Sequence, residues 1–129
     1  MKIYIAHSRE FDYEKELYRP IRSNQRLPQR DIILPHEAGQ NINFGREFYS
    51  QLDLVIAEVS YPATGLGIEL AWTYDAHVPI VCISKLGTRI SGSLYAVCDH
   101  FEEYATPESL IKLVENIISP SIIKAKSYD

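Results

Sequence analysis

The sequence predicts an α/β fold in which a parallel sheet is covered by helices on both faces. Three observations predict it. Strand-like apolar runs alternate with helix-like segments along the chain, the order that builds a parallel sheet. The run Asp53-Leu-Val-Ile-Ala-Glu-Val59 is β-branched and nearly all apolar, as a central strand buried on both faces requires. The composition, 46% hydrophobic and 23% charged over 129 residues, is that of one globular domain spanning 1–129.

Each element has its own signal. Lys2 to Ala6 reads as the first strand. Asp12 is placed to cap a helix from about Tyr13 to Arg22, with Pro20 awkward near its end. Asp31 to Leu34 is a short strand stopped by Pro35, and Asn43 to Leu52 reads as a second helix. Asp53 to Val59 is the third strand. Ser60 to Gly67 reads as a loop with Pro62, Gly65 and Gly67, and Ile68 to Ala76 as the helix after it. Val78 to Ile83 is the fourth strand, and Phe101 to Ala105 a short fifth. Thr106-Pro107-Glu108 opens the last helix with a cap, a first-turn proline and an acid near the positive end. Leu110, Leu113, Val114, Ile117 and Ile118 make its apolar stripe.

Bulk properties exclude several function classes. A net charge of -4 leaves no broad basic face for a polynucleotide, although one arginine and a few donors suffice for a single phosphate. No stretch reaches the ~18 apolar residues of a membrane span. The N-terminal apolar run is too short for a signal peptide, so the cytoplasm is the expected compartment. Two cysteines, Cys82 and Cys98, do not make a disulfide framework. His7, His36, His77 and His100 form no set at metal spacing, so neither a metal nor any other cofactor is expected.

A parallel sheet binds ligands outside the carboxyl ends of its strands, which directs attention to four loops. The loop Ser60–Glu69 carries the strongest signal. Gly65 and Gly67 permit positive φ and close approach of a ligand, and the helix that follows points its first amides into the same space. Glu69 is expected in the first turn of that helix. There it is either an acid complementing the helix dipole, worth about 0.3–1 kcal/mol, or a functional carboxylate. The glycines favour function, since a plain cap does not need them. Lys and Ser/Thr do not follow the second glycine, so this is no P-loop. Ser8 and Arg9, just past the first strand, suit a phosphate or form a solvated loop. Tyr4, in that strand, is by position more often a core aromatic than a catalytic one. Arg89, Ser91 and Ser93 add phosphate-compatible donors after the fourth strand.

Four stretches together resemble the nucleoside 2-deoxyribosyltransferase superfamily, closest to its 2′-deoxynucleoside 5′-phosphate N-glycosidase branch. They are Lys2-Ile-Tyr-Ile-Ala-His-Ser-Arg9, Glu16-Leu-Tyr-Arg-Pro-Ile21, Asp53-Leu-Val-Ile-Ala-Glu-Val-Ser60 and Gly65-Leu-Gly-Ile-Glu-Leu70, with a weaker match at Arg89-Ile-Ser91. The resemblance implies a Rossmann-like three-layer sandwich on a five-stranded, mainly parallel sheet, assembled as a homodimer or larger. It implies cleavage or transfer at the N-glycosidic bond of a (deoxy)nucleoside or its 5′-monophosphate, through a glycosyl ester on Glu69. By the same resemblance Tyr4 positions glutamate and sugar, and His36 lies near the base. Ser8 and Arg9 match phosphate contacts, and Ser91 matches a serine that reaches a neighbouring subunit's phosphate. Two departures are visible. Where the family carries an Asp 24 residues before the glutamate, this chain has Gly45, with Asn43 and Glu47 nearby. Where it carries a phosphate-binding Ser in the glycine loop, this chain has Ala63, followed by Thr64. The alternative reading is a nucleotide or ADP-ribose-like binding module that keeps the pocket without turnover.

Overall fold

The computed structural model describes residues 1–37 and 44–127, with side chains for 1–37 and 44–119. Five strands form one all-parallel sheet in the order β2-β1-β3-β4-β5. They are β1 (Ile3–His7), β2 (Ile32–Ile33), β3 (Leu54–Glu58), β4 (Ile80–Lys85) and β5 (Phe101–Tyr104). Every strand expected from the sequence is present. β4 begins two residues late because Pro79 has no N–H to give; its carbonyl still accepts the N–H of Val55 at 3.0 Å.

The sheet divides the core into two halves. Ile3 and Ile5 of β1 face one way and Tyr4 and Ala6 the other, the alternation of an extended strand. The first half packs under the segment 14–22 and α4 (Pro107–Ser127), the second under α2 (Arg46–Ser50) and α3 (Thr64–Asp75). This is the three-layer α/β sandwich. In α4, Leu110, Val114 and Ile118 are fully buried, as the stripe predicts. Its start is closed by a reciprocal cap: Ser109 N–H donates to Thr106 Oγ1 at 3.1 Å, and Thr106 N–H to Ser109 Oγ at 2.9 Å.

Three helices depart from expectation. The first is not continuous over 13–22. A π-helical turn, Glu14–Tyr18, runs into the short α1 (Arg19–Arg22), and Asp12 makes no side-chain cap. Pro20 thereby falls in the first turn of α1, where its missing N–H costs nothing. α2 covers Arg46–Ser50, starting from Gly45 in extended conformation, while Asn43 lies outside the described residues. α3 begins at Thr64, four residues before the expected Ile68, from Ala63 at φ −151°. This last difference reshapes the site.

Candidate active site

Strand order reverses between β1 and β3, and the crevice outside their carboxyl ends is where a doubly wound sheet takes its ligand. A cleft of about 530 Å³ opens there. β1 contributes Tyr4 and, past its end, Arg9; the segment after β2 contributes Pro35 and His36. Phe44 and Tyr49 come from the α2 region. Gly65, Ile68, Glu69 and Trp72 come from α3, at the i, i+3, i+4 and i+7 positions of one helical face.

Because α3 starts at Thr64, Glu69 is its sixth residue and no acid stands in its first turn. The dipole-complementing role is thereby overturned, since that effect fades beyond the terminal turn. The positive-φ bend is overturned as well. Gly65 and Gly67 are helical, and among the described residues Gly87 alone is a glycine with positive φ. Neither relieves a crowded backbone, since a Cβ built on either meets nothing within 4 Å.

Glu69 points into the cleft and is only half-buried. The Tyr4 hydroxyl donates to its Oε2 at 3.2 Å. Tyr49 places a second hydroxyl beside the same carboxylate and beside Tyr4, in looser contact. Burial disfavours the charged carboxylate and pushes Glu69 up to about 7, against the opposing pull of the two phenols. Burial and the Glu69 charge push the Tyr4 phenol far up, so it remains a donor throughout the physiological range. Tyr4 is also clamped by rings: Phe44, Phe48 and Tyr49 meet it edge-on at 5.5, 5.6 and 5.5 Å.

The opposite rim is set by a chain of buried polar groups. His7 lies on the other face of β1, its ring 4.6 Å from that of Tyr13. Burial lowers it to about 4, so it is neutral at pH 7. Its Nδ1–H donates to the Ser8 carbonyl at 3.0 Å, and its Nε2 accepts from the Tyr18 hydroxyl at 2.7 Å. Tyr18 in turn accepts the backbone N–H of His36 at 3.0 Å. Arg22 grips Glu37 with two hydrogen bonds of 2.7 and 2.8 Å. The His36 segment is thus pinned from both sides, and burial and the Arg9 charge both lower the His36 imidazole.

The expected site residues divide into three groups. Tyr4, Arg9, His36, Gly65 and Glu69 share the cleft. Ser8 is buried, and its Oγ accepts the Glu10 N–H at 3.1 Å, so here it shapes the turn that carries Arg9. Thr64, Gly67 and Ser91 line a different cleft, of about 610 Å³, on the other side of α3. Helical periodicity separates them: 64, 67 and 71 share one face, 65, 68, 69 and 72 another. Gly45 closes nothing and Glu47 is exposed on α2. Sequence reasoning missed Phe44, Tyr49, Ile68 and Trp72. The last two were within reach, since a helix counted from Thr64 puts them on the Glu69 face. Among the described residues no group of three His, Cys, Asp or Glu is placed to hold a metal, and no helix is long and apolar enough to cross a membrane.

No family model and no curated protein matches the chain. Solved structures do. The CMP N-glycosidase BcmB of Clostridium botulinum superposes with a TM-score of 0.65 over 91% of this chain and 99% of its own, at 14% identity. The two chains share one fold. A conserved protein from Enterococcus faecalis V583 matches over 87% of this chain and 95% of its own, with a TM-score of 0.51 and 14% identity. The Rossmann-like sandwich with its five parallel strands is therefore shared, nearly end to end, with these proteins.

Proposed function

We propose that this protein cleaves or transfers at the N-glycosidic bond of a (deoxy)nucleoside or its 5′-monophosphate, with Glu69 as nucleophile. The observation that carries the reading is the Glu69 carboxylate, aligned by Tyr4 and facing an aromatic cleft at the strand-order reversal. The fold shared with a CMP N-glycosidase supports it. In the first step a Glu69 oxygen bonds to C1′ as the C1′–N bond breaks. The base nitrogen keeps the bond pair and takes up a proton from solvent. In the second step water or another base attacks C1′ and frees the carboxylate. A carboxylate suits this task because it stabilises the oxocarbenium-like centre before bonding to it. Phe44, Trp72 and His36 offer flat faces for the base, and Arg9 offers a planar fork for a 5′-phosphate.

The test is release of free base from a panel of nucleosides and deoxynucleoside monophosphates. Wild type releases base and Glu69→Ala does not; equal background rates from the two overturn the enzyme reading. One observation favours a second reading, a nucleotide or ADP-ribose-like binding module: Gly45 presents no side chain where the resembled family has an acid. That module is stabilised by nucleotide, by about 2.7 kcal/mol at a hundred times Kd, without forming product. We further propose a homodimer or larger, with the cleft of Thr64, Gly67 and Ser91 turned toward a second copy; sedimentation as a monomer at micromolar concentration overturns it.

A further inference from the structure

The aromatic floor of the cleft contains a hydroxyl that packing alone does not call for. Tyr49 is 1% exposed and wedged among rings, 5.1 Å from Phe48, 5.5 Å from Tyr4 and 5.8 Å from Trp72. A phenylalanine would make the same ring contacts without desolvating an oxygen. The hydroxyl belongs to a ring that packs against Tyr4, the donor to Glu69, and it lies near that carboxylate, the one acid among the described residues lining the cleft. It comes from α2, one helical turn after the bare backbone of Gly45, whereas Tyr4 comes from β1.

We propose that Tyr49 is a positioning residue for Glu69, holding the carboxylate from the α2 side while Tyr4 holds it from the sheet. Two phenols on different elements fix the direction of the carboxylate more firmly than one. Both also favour its ionised, nucleophilic form against burial. The catalytic consequence rests on the N-glycosidase reading; the effect on the carboxylate does not.

The experiment uses the full chain carrying 13C-labelled glutamate, with the Glu69 signal assigned through Glu69→Gln. In Tyr49→Phe the Glu69 titration midpoint moves upward from about 7. At neutral pH kcat falls about tenfold while KM stays within about twofold. Phe48→Leu loosens the same ring cluster without removing a hydroxyl and leaves the midpoint in place. Tyr49→Met, of similar bulk, replaces the phenylalanine variant should that one fail to fold. An unchanged midpoint in the hydroxyl-free variant overturns the proposal, as does a rise in KM at constant kcat. The titration needs no substrate, so a wild type that releases no base sinks the N-glycosidase reading alone and leaves Tyr49 to be judged by the midpoint.

Discussion

Glu58 and Glu69 sit one strand-to-helix connection apart, both raised by burial, and in opposite conditions. Glu58, at the end of β3, is 1% exposed and fully engaged. Its Oε1 accepts the Ser60 N–H at 2.7 Å, and its Oε2 accepts the hydroxyls of Ser60, at 2.8 Å, and Tyr104. Ser60 Oγ accepts the Lys85 N–H at 2.8 Å, so one carboxyl ties together the ends of β3, β4 and β5. Glu69 accepts the Tyr4 hydroxyl at 3.2 Å, has the Tyr49 hydroxyl beside it, and lines an open cleft. Burial alone therefore does not single out a candidate reactive acid; burial beside an open cavity is what sets Glu69 apart from Glu58.

The sharpest way to break this comparison is to exchange the effects. Glu69→Gln is expected to lower base release by at least ~10³-fold and to leave the fold intact. Glu58→Gln places an amide against three donors and is expected to cost about 3 kcal/mol of stability, read by urea unfolding, while folded protein keeps its activity within a fewfold. Loss of activity from Glu58→Gln at full stability would erase the distinction.

The next effect is on pH. On the proposed mechanism Glu69 reacts in its ionised form, so kcat/KM is expected to fall on acidification with a midpoint near 7, well above an ordinary glutamate. Stability runs the other way. A carboxyl whose folded value lies above its unfolded one stabilises fully below the unfolded value, about 4.5, and loses that contribution as pH rises through about 7. Glu69→Gln is thus expected to gain about 2 kcal/mol on wild type between pH 4.5 and 8, after discount for the open side of the cleft. A constant difference across that range would place Glu69 in solvent-like surroundings.

Most of the scaffold was legible in the sequence, because buried parallel strands are written as apolar runs and the α4 stripe has helical period. The π turn was not, since an i→i+5 pattern has no composition of its own. The start of α3 was misplaced because paired glycines read as a bend. In a helix glycine is disfavoured by propensity, so two of them two residues apart argue for a loop. That single shift carried Thr64 and Gly67 to the far side of the helix, where Ser91 also lies. Tyr49 was hidden because an apolar helix face looks the same whether or not one ring bears a useful oxygen.

A smaller effect tests the phosphate end of the cleft. Arg9 is exposed there. Arg9→Ala is expected to raise KM about 10- to 50-fold for a 5′-monophosphate and less than about threefold for the matching nucleoside, with Tm unchanged. Equal losses on both substrates would remove Arg9 from phosphate recognition.

The smallest effect separates the two faces of α3. Gly65 and Gly67 are both helical with open space where a Cβ would stand, so alanine at either is expected to add about 0.5–1 kcal/mol in thermal unfolding. Their functional outcomes should diverge. Position 65 lies on the Glu69 face, and a methyl group there fills space a bound sugar would occupy, so Gly65→Ala should raise KM while raising Tm. Position 67 lies on the other cleft, and its alanine should leave KM alone in a single chain. A Gly67→Ala variant that stabilises the fold but weakens substrate binding would show that the far face of α3 reaches a site after all, through a second copy of the chain.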